Sequence, residues 1–464
     1  MKKELKERLS GYKKIHVIGI SGQEGRAVFD YLTQEQGIPE IIGHESSLKE
    51  DFQAAFLRFS DAYTKDEAEG MLDRFLSSGA KINFGADYLK DIEKGDLVIV
   101  TQAWRRYKQN APLLSLEGVE IIQAIEIVMM LLDCRTVGVT GTAGKSTTTA
   151  FIASILHQAK KKFYFSGNDR ENKWDLFEAE KMEPTDVALL EISHRHLMDL
   201  KASPDIAVLT NIYPHHLDDA GSFENYVRIK TNIFRFQDNQ GKAIVNVNLI
   251  KDKLIDNTEI KGSLIAFSAN ALRGMDVEKI PFKGEHNLMN AAAAYLVGKA
   301  LEIDDETIEA GIINTKPLKY RMEEVASKDG LTFWNDGKSS DPLATIEAVK
   351  SVPELVLLFL GGVREGGKPG EFLELGKEIA SRDIPKVYIG GKTKELVYND
   401  LIEAGVKKDS IELKDGFKDA FASASTYLKG KTGSVLFSPS CQSFDEFKDY
   451  RERAEAFNDF ANSY

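Results

Sequence analysis

The sequence predicts an α/β protein of three domains built on mostly parallel sheets, and three observations carry this. Short apolar runs alternate with longer amphipathic stretches along the whole chain, the pattern of parallel strands joined by crossover helices. The 464 residues exceed what one hydrophobic core organises, since a domain takes roughly 150. Glycine-rich patches at 361–370 and 390–391 follow apolar runs, which is where ligands bind in open sheets.

Taken in order, the first strands are expected at 15–20, 39–43, 81–84, 97–101 and 119–122, each a short run carrying Ile, Val or Leu. A second series is expected at 136–140, 187–191, 206–211 and 243–247, and a third at 331–334, 355–360, 386–389 and 434–437. No Gly/Ser or Pro-rich linker separates the series, so the boundaries are set by the series themselves, near Ala124 and Pro317. The domains are then 1–123, 124–317 and 318–464.

Hydrophobic residues at 42% and charged residues at 28% exclude a disordered, collagen-like or fibrous chain. A net charge of −12 sets a field that repels nucleic acid and anionic membranes, so no nucleic-acid or membrane partner is expected and anionic ligands need local sites. Cys134 and Cys441 lack the spacing of a disulfide framework or a thiolate zinc site. With no signal-peptide core and no run of about 18 apolar residues, a cytoplasmic protein is the expectation, and a monomer is expected separately.

The strongest local signal is Thr136-Val-Gly-Val-Thr-Gly141-Thr142-Ala-Gly144-Lys145-Ser146-Thr147-Thr148, a strand entering a glycine-rich turn and then a helix. Gly141 and Gly144 let backbone N–H groups approach phosphate oxygens, Lys145 adds a point charge, and Ser146 can hold Mg²⁺ at the positive helix start. Val139 stands where the longer phosphate-loop pattern has its first glycine, so this is a shorter variant. Glu191 ends the run Val-Ala-Leu-Leu and presents a carboxylate at the C-terminal edge of a strand, a hard oxygen ligand for Mg²⁺. His216 follows the next strand and is expected at the same edge. His194, His196, His215 and His216 raise a zinc alternative, against which stands the preference of a phosphate cradle for oxygen-ligated Mg²⁺.

Ser222 is placed to cap a helix whose apolar stripe runs Phe223, Val227, Phe234, and Lys230 falls on that stripe. Either its stem packs while the ammonium snorkels to water, or the amine is desolvated, loses its charge and becomes open to carbamate formation with CO₂.

These pieces, in this order, resemble the Mur ligases, ATP-dependent amide-bond-forming enzymes of cell-wall precursor synthesis. The carriers are the 141–148 turn, Glu191, the stretch 211–230, Gly284-Glu-His-Asn-Leu-Met-Asn-Ala291, Tyr320-Arg321 and Asn335-Asp336-Gly-Lys-Ser-Ser340. The resemblance implies Rossmann-like N- and C-terminal domains around a central Mg-ATP domain. It implies nucleotide contacts from Gly141, Thr142, Gly144, Lys145, Ser146, Thr147, Asn287, Asn290, Arg321 and Asp336. It makes Ser146, Glu191, His216 and a carbamylated Lys230 the metal set, with Lys145, Glu191, His216, Lys230 and Arg321 in catalysis. The stretch 438–453 resembles the D-glutamate-adding branch, which implies that Ser340, Lys368, Ser443, Phe444 and Tyr450 hold the amino acid, with Arg364 as the alternative basic contact. Asn168 and Ser193 are implied for a UDP-linked muramoyl acceptor.

Departures concentrate on the acceptor: Ser193-His-Arg-His-Leu197, Gly167-Asn168-Asp169-Arg170 and Thr101-Gln-Ala-Trp104 differ from the family's usual runs. The turn Gly19-Ile-Ser-Gly22-Gln-Glu-Gly25 resembles the alanine-adding ligases at least as well. The expected activity is transfer of D-glutamate to UDP-N-acetylmuramoyl-L-alanine through an acyl phosphate. A different carboxylate acceptor, or an ATP-binding homologue without catalysis, are the alternatives.

Overall fold

The computed structural model describes residues 1–58, 62–167, 173–214, 217–255, 260–282, 284–364 and 366–464. Among these residues the strands form three sheets. The first contains β1 (Lys14–Ile18), β2 (Glu40–Glu45), β3 (Lys81–Phe84), β4 (Leu97–Val100) and β5 (Glu120–Gln123), in the order β3-β2-β1-β4-β5 and parallel throughout. The second contains β6 (Arg135–Thr140), β7 (Phe163–Ser166), β8 (Val187–Glu191), β9 (Ile206–Leu209), β10 (Lys242–Asn246) and β11 (Ser263–Phe267). Its order is β11-β10-β9-β6-β8-β7, again all parallel.

The third sheet contains β12 (Glu323–Lys328), β13 (Leu331–Asn335), β14 (Leu355–Gly361), β15 (Val387–Gly390), β16 (Ile411–Leu413) and β17 (Gly433–Ser440), ordered β12-β13-β17-β14-β15-β16. Only β12 runs antiparallel, to β13. The α/β class and mostly parallel sheets follow the apolar runs, because a strand covered by helices on both faces has no polar side to alternate. β6, β8 and β9 are buried at nearly every position, as that argument requires.

Four strands escape the sequence reading: β7, β11, β12 and β16. All are sheet edges. β12 reads Glu-Glu-Val-Ala-Ser-Lys and buries little, and β16 has three residues, so neither leaves an apolar run to detect.

The chain divides into two compact units, one of Met1–Val277 with Met289–Asn314, the other of Glu278–Leu288 with Thr315–Tyr464. The first two sheets share the first unit because one cluster of buried apolar side chains runs through both, from Phe29, Leu32 and Leu131 to Trp174, Leu176 and Ala179. Polar bonds join the same segments. Trp104 Nε1–H and Arg105 Nε–H donate to Asp199 (3.0 and 2.9 Å), and Tyr63 OH donates to the Trp174 carbonyl. The second unit is closed by its own apolar clusters on the two faces of the third sheet. No helix among the described residues is long and apolar enough to cross a membrane.

Candidate functional site

In the second sheet β6 lies between β8 and β9, so the chain order reverses there and the C-terminal ends of these strands frame a crevice. β6 ends at Thr140, residues 141–144 turn, and a helix runs Lys145–Gln158. Gly144 caps that helix at φ 80°, a conformation that disfavours any residue with a Cβ, and a Cβ there would overlap the Asn290 carboxamide. A Cβ at Gly141 would overlap the Thr210 hydroxyl. Both glycines are therefore dictated by close approach.

The turn is held from β9. Thr142 N–H donates to the Asn211 carbonyl (3.0 Å), Ala143 N–H to Asn211 Oδ1 (2.9 Å), and Thr210 Oγ1 donates to the Ala143 carbonyl (2.7 Å). Asn290, on the helix Glu285–Ala300, accepts from Thr148 Oγ1 at 3.3 Å. Lys145 Nζ folds over the turn and donates to the carbonyls of Gly141 (3.0 Å) and Thr142 (3.2 Å). Ser146 and Thr147 occupy the first helical turn behind it.

Lys230 is buried on the helix Phe223–Arg235, which Ser222 caps through the Asn225 N–H. Its Nζ donates to Thr140 Oγ1 (3.1 Å) and to the Gly141 carbonyl (2.9 Å), so it does not snorkel to water. Burial pushes its pKa well below the ordinary lysine value, the Lys145 charge adds to that, and Glu191 opposes it. Glu191, buried at the end of β8, is in register with Val139 on β6. The turn, Lys145, Glu191, Lys230 and Asn290 are thus brought together at one sheet edge. His216 and Asn168 lie outside the described residues.

Ser193 caps the helix His194–Asp199 and its hydroxyl also donates to Gln102 Oε1 at 2.9 Å, a bond from the second-sheet segment to the first. His196 Nε2 lies 3.1 Å from Glu24 Oε1, and Glu24 Oε2 accepts the Gln102 N–H. Burial lowers His194 to about 4, and as a neutral ring it meets Asp219 through Nε2 at 3.2 Å. The bond to His194 and the Arg195 guanidinium hold the Asp219 carboxyl below its usual range.

In the second unit, Asp336 follows β13 and accepts from Ser339 Oγ (2.6 Å) and Ser438 Oγ (2.7 Å). Burial raises it to about 6, partly offset by those bonds and by the Arg321 charge. Asn287 is buried in this unit. Ser340 and Lys368 are exposed, Ser443 is buried, Phe444 is 61% exposed, and Tyr450 opens the helix Tyr450–Ser463 with Lys338 Nζ 5.2 Å from its ring. Arg364 pairs with Glu371 and reaches the Ser340 carbonyl at 3.4 Å. Thr210, Asn211, Gln102 and Glu24 were not singled out from the sequence. Thr210 and Asn211 end a buried strand beside the turn, which is the signal that could have found them.

A parallel sheet that opens onto a strand-turn-helix unit with a basic and an acidic side chain at its edge has the geometry of a phosphate cradle in an α/β protein. Residues 139–274 match the model of the Mur ligase middle domain. The chain is 29% identical over 392 residues to a UDP-N-acetylmuramoylalanine–D-glutamate ligase of Caldanaerobacter subterraneus, covering 81% of this chain and 85% of that one. It is 28% identical over 475 residues to the like-named protein of Pelotomaculum thermopropionicum, covering 97% and 98%. Among solved structures, MurF ligase from Thermotoga maritima in complex with ADP shares the fold at TM-score 0.57 and 17% identity, over 91% of this chain and 94% of that one. UDP-N-acetylmuramate-alanine ligase from the same organism does so at 0.56 and 16%, over 97% and 99%. The chain is thus similar to Mur ligases in its middle segment and along most of its length.

Proposed function

We propose that the chain is an ATP-dependent amide ligase that adds D-glutamate to UDP-N-acetylmuramoyl-L-alanine in the cytoplasm, as a monomer acting on small molecules. The observation that carries the reading is the buried Lys230 amine bonded directly beneath the phosphate turn, with Glu191 on the adjacent strand. The amine substrate is supported by the likeness to D-glutamate ligases that the chain matches over most of their length. The segments 1–123, 124–317 and 318–464 are proposed to carry acceptor, nucleotide and amino acid in turn, with Arg321, Asp336 and Asn287 in the nucleotide roles the resemblance implies.

The donor set fits Mg²⁺. A hydroxyl at Ser146, the Glu191 carboxylate and a carbamate on Lys230 are the hard oxygen ligands that ion takes, with His216 as the fourth candidate. A neutral Lys230 amine attacks CO₂ to give the carbamate and release one proton, and burial supplies that neutral amine. Bound there, Mg²⁺ would neutralise charge on the phosphates. The acceptor carboxylate attacks the γ-phosphorus of ATP, ADP leaves, and the amine of D-glutamate displaces phosphate from the resulting acyl phosphate. Lys145 screens charge on the transferred group, and the backbone N–H groups of the turn orient it.

One observation favours a different acceptor. Ser21 N–H, in the N-terminal glycine-rich turn, already donates to Glu45 Oε2 (3.0 Å), and Glu24 is buried in the helix that follows. A ligand diphosphate there meets two carboxylates of the chain itself. Phosphate release from ATP decides the matter, measured with D-glutamate, L-glutamate, D-aspartate and L-alanine against a panel of carboxylate acceptors. Release that needs both D-glutamate and UDP-N-acetylmuramoyl-L-alanine is expected. Release with another acceptor alone establishes the second reading, and release without any amine refutes ligation.

A further inference from the structure

The three neighbouring strands β13, β17 and β14 send their C-terminal turns to one edge of the third sheet, and a single buried side chain ties those turns together. Arg453, 1% exposed on the helix Tyr450–Ser463, donates from Nη1 to the Cys441 carbonyl (3.0 Å) and from Nη2 to the Gly337 carbonyl (3.1 Å). A Cβ at Gly362, in the turn after β14, would lie 3.1 Å from Nη1. The β14 and β17 turns are themselves bridged, Val363 N–H to the Gln442 carbonyl and Gln442 N–H to the Val363 carbonyl, both 2.9 Å.

What this guanidinium lacks is a paired anion, since Asp445 and Glu446 favour its charge only through space. Among the described residues no carboxylate pairs with it, and its Nε–H has no acceptor. The nearby acids are committed elsewhere. Asp445 accepts the Lys392 N–H, Glu446 accepts the N–H groups of Phe417 and Lys418 at a helix start, and Glu371 pairs with Arg364. Burial lowers Arg453 only to about 10, so it is charged at neutral pH. A buried cation held by neutral carbonyls is costly, and an anion arriving at the same edge offsets that cost.

We infer that Arg453 is a positioning residue of the amino-acid site, its charge favouring an amine substrate that carries carboxylates and its fork fixing the turns that bear Ser340, Arg364, Ser443 and Phe444. The inference rests on the proposed amino-acid site in the C-terminal segment. It names the substrate as a dicarboxylic amino acid held partly by field rather than by contact, because the guanidinium itself is out of reach.

Steady-state phosphate release on Arg453→Gln and Arg453→Lys tests it. In Arg453→Gln the KM for D-glutamate is expected to rise about tenfold while the KM for ATP stays within about twofold, and Arg453→Lys, which keeps the charge, should recover most of the loss. Equal changes in both KM values, or a fall in kcat alone, would reduce Arg453 to a structural role and overturn the inference. Should both variants fail to fold, the wild-type chain decides: with ¹⁵N-arginine labelling, the buried Nε–H resonance should shift when D-glutamate saturates the enzyme. No shift at saturation overturns the inference. If the wild type uses another amino acid instead, the D-glutamate assignment fails, and the same two readouts taken with that amino acid still judge Arg453.

Discussion

Burying a lysine amine among a threonine hydroxyl and a backbone carbonyl is unfavourable unless the amine gives up its charge, and Lys230 is placed in that way. The pH consequence follows from the direction of its shift. Because the folded pKa lies below the unfolded value, the unfolded chain binds the extra proton between the two, so this residue's contribution to stability grows as pH rises through that window and is lost as pH falls toward the folded pKa. Replacing it by methionine should flatten that slope in urea unfolding measured from neutral to alkaline pH. A slope unchanged in the variant would mean that Lys230 is solvated. Lys230→Ala should lose turnover and regain part of it with short-chain carboxylates that occupy the place of the carbamate, and ¹³CO₂ should give the wild-type chain a carbamate resonance that the variant lacks. The position was legible because a lysine on an apolar stripe is an anomaly at the level of sequence. Its partners Thr140 and Gly141 were not, since they lie about ninety residues away and only the β6–β9 pairing brings the turn to that helix.

The same contrast holds for elements. Central strands were legible, because burial on both faces writes an unbroken apolar run, whereas β12 and β16 at the edges carry charge and little apolar length. Contacts between segments were invisible for another reason: polar side chains that meet across a fold leave no periodicity. Asp199 is the clearest case, accepting from Trp104 Nε1–H, Arg105 Nε–H and, at 3.4 Å, Gln123 Nε2–H. Asp199→Ala should cost about 1–3 kcal/mol, chiefly because the indole N–H of the buried Trp104 loses its acceptor. The Arg105 pair adds little, since that side chain is 39% exposed and its charge is screened by water. Urea denaturation checks the figure, and Arg105→Ala serves as the control. If the two substitutions cost the same, the ion pair and not the indole bond is what holds the segments.

At the scale of the whole molecule, three sheets need not mean three cooperative units. The first and second sheets share one continuous apolar cluster, running from Leu5 to Ile255, while the third sheet is closed by clusters of its own. Cooperativity follows shared burial, because opening one side of a common core exposes the apolar surface of the other. Two unfolding transitions are therefore expected, and the three tryptophans are distributed to read them. Trp104 sits in the segment of the first sheet and Trp174 in that of the second, both buried, and Trp334 lies on β13 in the other unit. In variants that keep one tryptophan and carry phenylalanine at the other two, Trp104 and Trp174 should report a single shared denaturation midpoint and Trp334 a different one. The comparison between Trp104 and Trp174 is internal, so any loss of stability from replacing the indoles can be checked by far-UV circular dichroism on each variant. Separate midpoints for Trp104 and Trp174 would make the first two sheets independent despite their common cluster, and one midpoint for all three would make the chain a single cooperative unit.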